Sequence, residues 1–245
     1  MTVFHRLSSR PWALMVALLA ALFLGCAAPE GAPLEPIVRP QARPYRPPVP
    51  REVVVVVHSA AAEAPATVEL GLSVRGRPIE GIVFEGTGGC VLILGGIHGD
   101  ESVGSALIER LAEHLRTHAA DCAGKRVVLI PRANPDGLAA GTRWNARDVD
   151  VNRNFPAANF TPNSRHGRTA LCEPESRALV VAIARYRPSC IVSVHGPLRG
   201  IDPDGRAASW ALAAEMAALS PLPLKDLAAL PGSLGSYAGN TLGLK

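Results

Sequence analysis

His98 and Glu101 stand three positions apart in Gly95-Gly96-Ile97-His98-Gly99-Asp100-Glu101-Ser102, directly after the apolar run Val91-Leu92-Ile93-Leu94. An imidazole nitrogen and a carboxylate oxygen form a donor pair that suits zinc. If the run is a buried strand and a helix begins near Asp100, the two side chains share one helical face and reach one ion. A catalytic zinc needs a third protein ligand and an open position for water. His195 is the candidate, because it ends the apolar run Ile191-Val192-Ser193-Val194 and is followed by Gly196-Pro197. One zinc ion held by His98, Glu101 and His195 is therefore expected. His114 and His118 share a helical face without a third ligand, and His58 and His166 have no partner in sequence.

Between these ligands, residues 141 to 156 carry Arg143, Arg147 and Arg153 within eleven positions. A guanidinium binds a carboxylate through two parallel hydrogen bonds and stabilises the oxyanion that develops when an amide is attacked. The apolar residues Trp144, Val149, Val151 and Phe155 interrupt the charges, so part of the segment is expected to be buried.

Elements that could hold these residues alternate along the chain. Residues 53 to 57 are five valines, and the apolar runs 67 to 74 and 79 to 84 flank the hairpin signal Arg75-Gly76-Arg77-Pro78. From Glu101 to about Ala119, Val103, Ala106, Leu107, Leu111 and Leu115 recur at helical spacing. A strand over 126 to 130, a helix over 174 to 186, a strand over 190 to 194 and a helix over 206 to 219 follow. This order predicts an α/β fold: a mixed, mostly parallel twisted sheet with helices on both faces. His98, Asn134 and His195 each follow a strand, so they should meet on the rim formed by the carboxyl ends of the strands.

The N-terminus reads differently. Arg6 and Arg10 precede an uncharged run from Trp12 to Gly25, which reads as an export signal over 1 to 25. Leu24-Gly25-Cys26 resembles a bacterial lipoprotein cleavage site, with Cys26 as the lipidated residue. Eight prolines between residues 27 and 50 make 27 to 51 a linker of about 3.1 Å per residue. Residues 52 to 245 form the domain and hold 19 basic and 19 acidic residues. The net charge of +4 therefore belongs to the export segment and the arm together and gives no nucleic-acid footprint. The partner expected from this end of the chain is a membrane reached through the lipid, with the chain monomeric and periplasmic. Cys90, Cys122, Cys172 and Cys190 permit two disulfides, with Cys90 and Cys122 at the same end of neighbouring strands, or remain four thiols.

Five ordered pieces resemble the zinc carboxypeptidase family: His98-x-x-Glu101, Asn134-Pro135-Asp136-Gly137, Arg143 with Val149 to Pro156, Glu173-Pro174-Glu175, and Val194 to Leu198. Residues 72 to 79 and 232 to 239 are similar to its short murein peptide amidase branch. The resemblance implies that His98, Glu101 and His195 bind zinc, that Arg143 polarises the scissile carbonyl, and that Asn152 and Arg153 clamp a terminal carboxylate. Asp150 would fix the ring of a zinc-bound histidine. Asp100 stands where digestive members carry arginine, which argues against their substrate preference. The family's general-base glutamate is expected just beyond residue 245, together with the last strand and closing helix, so weak or lost activity is expected. Asp202, Asp204 and Glu175 are the conceivable substitutes. The implied activity is zinc-dependent hydrolysis of a peptide or amide bond beside a free carboxylate, in peptidoglycan peptides. The alternatives are an N-acyl amino acid deacylase of the aspartoacylase type and an inactive zinc- or peptide-binding lipoprotein.

Overall fold

A computed structural model describes residues 64–122, 124–197, 199–204 and 207–244. The export segment, Cys26, the proline-rich stretch and the valine run at 53 to 57 lie outside the described residues. The described residues open with β1 (Ala66–Leu72) and β2 (Pro78–Phe84), which pair antiparallel as the hairpin signal requires. Their turn is closed by Ser73 N–H donating to Arg77 O at 2.8 Å, and Gly76 takes the left-handed φ of 73° that the turn needs. β3 (Cys90–Leu94), β4 (Arg126–Ile130) and β5 (Cys190–Ser193) complete a sheet of order β1-β2-β4-β3-β5. β4 pairs antiparallel with β2, whereas β3 pairs parallel with both β4 and β5. The sheet is therefore mixed, and its parallel half carries the rim expected for the site.

Alternation along the strands divides the core in two. Leu92, Leu94, Val128 and Ile130 face α3 (Pro174–Tyr186) through Leu179, Ala182 and Ile183. Ile93, Val127 and Leu129 face α1 (Ser102–Thr117) through Leu107, Ile108, Leu111 and Leu115. α2 (Pro135–Ala140) and α4 (Ala207–Ala218) are the other α-helices among the described residues. None of the described helices is long and apolar enough to cross a membrane.

Two expectations about α1 need correction. Val103 and Ala106 are exposed, and the buried stripe begins instead with Gly104 and Ser105. The cause is close approach: a Cβ on Gly104 would lie 2.9 Å from Val194 O, so the first turn rests directly on the strand ends.

The disulfide between Cys90 and Cys122 does not form. Both thiols are free and buried, Cys90 in the α3-side core and Cys122 in the α1-side core, on opposite faces of the sheet. Burial pushes the Cys90 thiol up to about 11. Cys172 and Cys190 form no disulfide either.

Candidate metal centre

Strand β3 delivers His98 to the rim through Gly95 and Gly96, whose φ is 63°. His98 and Glu101 do not share a helical face, because α1 starts only at Ser102. A turn brings them together, with Glu101 N–H donating to His98 O at 3.2 Å. The i, i+3 spacing thus works through a turn just ahead of the helix. His195 follows β5, whose pairing is extended by Val194 N–H donating to Leu94 O at 2.8 Å.

The three side chains converge. Glu101 Oε1 lies 2.9 Å from His98 Nδ1, its Oε2 lies 2.9 Å from His195 Nδ1, and the two Nδ1 atoms are 3.2 Å apart. Tetrahedral donors at ordinary Zn–N and Zn–O distances stand roughly 3.4 Å from one another, so little movement is needed to seat an ion. The far side of each ring is engaged separately: His98 Nε2 meets Asp150 Oδ1 at 3.1 Å, and His195 Nε2 meets Ser193 Oγ at 3.0 Å. A proton held on each Nε2 leaves both Nδ1 lone pairs facing the same point. Two imidazoles and one carboxylate fit zinc. Among the described residues, they are the one group of three or more such donors close enough to hold a metal.

Asp150 links the centre to the arginines. Its Oδ2 accepts from Arg143 Nε at 3.0 Å and faces Arg143 Nη2 at 3.0 Å, while Oδ1 also accepts from Asn152 N–H at 2.9 Å. Burial pushes the Asp150 carboxyl up, but the His98 hydrogen bond and the charges of His98, Arg143 and Arg153 hold it well below the usual range. Glu101 follows the same pattern: burial is outweighed by hydrogen bonds from His195 and His98, which bring it down to about 2. Burial pushes His98 down, yet Asp150 and Glu101 leave it above its ordinary value. Burial also lowers Arg153, which Asp150 raises in part.

A cavity of about 850 Å³ opens on this centre and is lined by His98, Glu101, His195, Arg143, Asn152 and Arg153 together. Asn152 is fixed by Leu234 N–H donating to its Oδ1 at 2.9 Å, and Arg153 Nη1 donates to Asn152 O at 2.7 Å. Arg147 does not join them. It turns away to Glu173 at 3.5 Å, so two of the three arginines line the cavity. Glu175 is not a substitute base either, since it is fully buried and accepts from Val74 N–H and from Asn145 Nδ2. Asp202 and Asp204 do line the cavity. Burial and the neighbouring Asp202 hold Asp204 above the usual carboxylate range, against the pull of His195. The sequence reading overlooked Ser193, although a polar residue two positions before His195 on an apolar strand points to the same side. His114 and His118 stack on the far end of α1, with ring centroids 4.2 Å apart and outside the cavity.

Residues 55–199, which include all six site residues, match the family model described as zinc carboxypeptidase. Murein peptide amidase A of Escherichia coli strain K12 is 36% identical over an alignment of 171 positions that covers 61% of this chain and 66% of that protein. The chain thus spans just under two thirds of that relative. The crystal structure of murein-tripeptide amidase from Escherichia coli O157 superposes with a TM-score of 0.54 at 31% identity, covering 74% of this chain and 80% of that one. Carboxypeptidase A from Helicoverpa armigera shares the fold, with a TM-score of 0.63 at 21% identity over 71% of this chain and 56% of its own. With a matching family model that runs through every residue of the metal centre, the chain belongs to the zinc carboxypeptidase family.

Proposed function

We propose that the chain is a zinc-dependent hydrolase that cuts a peptide or amide bond next to a residue with a free carboxylate, in peptidoglycan peptides. The observation that carries this reading is that the His98–Glu101–His195 donors and the cations Arg143 and Arg153 open on one cavity. Zinc, when bound, supplies a Lewis acid for the scissile carbonyl and a more acidic water. His98 and His195 present their Nδ1 atoms to it, held by Asp150 and Ser193. Arg143, anchored on Asp150, places a cation beside the position where the oxyanion develops. Asn152 and Arg153 take the free carboxylate of the substrate, as a planar guanidinium does most effectively. Among the described residues, Asp202 and Asp204 are the cavity's carboxylates besides Glu101, and they are the candidates to accept the proton of the attacking water. A positioned base contributes about 10²–10⁴ in rate, so the size of the turnover reports whether either of them serves.

The murein reading rests on the similarity to murein peptide amidases together with the export signal of residues 1–25. A lipid on Cys26 and the proline-rich arm of residues 27–51 would tether the domain on the periplasmic side, within reach of the cell wall. The test offers the zinc-loaded full chain a murein tripeptide and, separately, an N-acylated aspartate. Slow release of the carboxyl-terminal residue from the tripeptide is expected. Cleavage of the acylated amino acid alone would select the deacylase reading. Binding of tripeptide without any turnover would select the non-catalytic one.

A further inference from the structure

We propose that Asn145, gripped by the buried carboxylates of Glu173 and Glu175, is a positioning residue that sets the metal centre through Asp150. The inference rests on the zinc reading above and concerns how this chain holds the loop between Arg143 and Asp150. Both ends of that loop serve the site, yet it contains no helix or strand. Something else must fix it.

Asn145 does so with both halves of its side chain. Its Oδ1 accepts from Arg147 N–H at 3.0 Å and Val149 N–H at 3.1 Å, while its backbone N–H donates to Val149 O at 2.9 Å. These bonds close a turn over 145 to 149 that holds Asp148 at a φ of 62°, a left-handed conformation that a non-glycine residue adopts only when its surroundings enforce it. The Nδ2 atom donates to Glu173 Oε2 at 2.8 Å and to Glu175 Oε2 at 3.0 Å. All three side chains are buried, with Glu175 fully so. Two carboxylates placed together in a core repel one another and lose their water, so their retention needs a donor that serves both. One amide nitrogen with two hydrogens meets that need.

The grip reaches further through both acids. Glu175 Oε1 accepts from Val74 N–H in the β1–β2 turn, and Glu173 N–H donates to Asn154 Oδ1 just past Arg153. The turn is thereby pinned to α3, to the hairpin and to the far end of its own loop. Val149, which the turn fixes, immediately precedes Asp150, and Asp150 holds both the His98 ring and the Arg143 guanidinium. Alanine at 145 would remove both functions of the side chain. Aspartate would keep the acceptor and lose the donors.

The zinc dissociation constant of the full chain, measured by chelator competition, tests this without reference to activity. Asn145→Ala should weaken zinc about 10- to 100-fold, the usual effect of removing support behind a metal ligand, and Asp150→Ala should do the same. Because Asn145 acts through Asp150, the double variant should bind zinc within about twofold of Asp150→Ala alone. Glu175→Gln, which keeps volume and the acceptor for Val74 but sets an amide against the Asn145 amide, should show a weaker loss in the same direction. It is measured alongside and decides the matter if Asn145→Ala does not fold. Unchanged zinc affinity in Asn145→Ala or Glu175→Gln, with only a lowered melting temperature, would overturn the proposal by showing a merely structural role. Losses that multiply in the double variant would also overturn it. A wild-type chain that binds no zinc would refute the metal reading itself, before any variant is compared.

Discussion

Gly99, next to His98, is the point where the metal loop touches the rest of the rim, and Gly99→Ala should be far more damaging than its size suggests. A Cβ there would lie 1.9 Å from Gly137 C, 2.2 Å from Gly137 O and 2.3 Å from Leu138 N. Those are backbone atoms of α2, so no side chain can rotate out of the way. Ordinary contact begins near 3.4 Å, so the two loops would have to part by about 1.5 Å within a close-packed region. They are joined there by Asn134 N–H donating to Gly96 O at 2.8 Å and by Ala133 N–H donating to Gly95 O at 3.1 Å. Overpacking of this kind costs about 1–3 kcal/mol, and a contact between two backbones belongs at the upper end. About 3 kcal/mol corresponds to a fall in melting temperature of roughly 6–12 °C for a domain of this size. Gly76→Ala is the control. Its φ is 73° but nothing lies within 4 Å of the added carbon, so only the left-handed penalty of about 1–2 kcal/mol remains. Urea unfolding of both variants, with zinc affinity measured on the folded fraction, provides the comparison. Finding that Gly99→Ala costs no more than Gly76→Ala and keeps wild-type zinc affinity would refute the claim that this contact positions His98.

Arg143→Lys should lower kcat/KM on the peptide substrate about 10²–10³-fold while the chain still binds zinc, because an ammonium cannot reproduce the two-nitrogen hold on Asp150. A near-wild-type rate would remove Arg143 from the mechanism. Asp136 is buried, which pushes its carboxyl up, but Arg75 N–H, the Arg77 guanidinium and the Ser73 hydroxyl hold it below its ordinary value. Its contribution is therefore complete above the unfolded value near 4 and is lost as pH falls through the lower folded value. Urea midpoints should put Asp136→Asn about 1–3 kcal/mol below wild type at pH 7, with the gap narrowing below about pH 4. A gap that widens on acidification would contradict this assignment.

Much of this arrangement was legible in the sequence because the signals were local. The helix over 174 to 186 is legible at its observed bounds because Pro174 occupies the first helical turn and an apolar stripe follows. The strand over 126 to 130 is legible likewise, ended by Pro131. His98, Glu101 and His195 could be grouped because each follows a buried strand, and strand ends in such sheets share a rim. Side-chain direction was less visible. The turn that joins His98 to Glu101 mimics the spacing of a helix, and Arg147 carries the same charge as its neighbours yet faces Glu173. The failed pairing of Cys90 with Cys122 has a related origin, since Cys122 ends a short 3-10 helix ahead of β4 and packs on the α1 side, which no local sequence signal shows. The support for Asn145 lay outside any local signal, because Glu173 stands 28 residues away and the Glu175 bond to Val74 spans 101.

The central claim is that one zinc ion is held by His98, Glu101 and His195, and zinc stoichiometry with affinity in wild type and His195→Ala tests it most directly. The wild-type chain should hold one zinc per molecule after dialysis. His195→Ala should lose it or bind it at least about 100-fold more weakly, with an unchanged circular dichroism spectrum, because two protein donors cannot replace three. A wild-type chain that takes up no zinc, or a His195→Ala variant that keeps one zinc with wild-type affinity, would contradict the account.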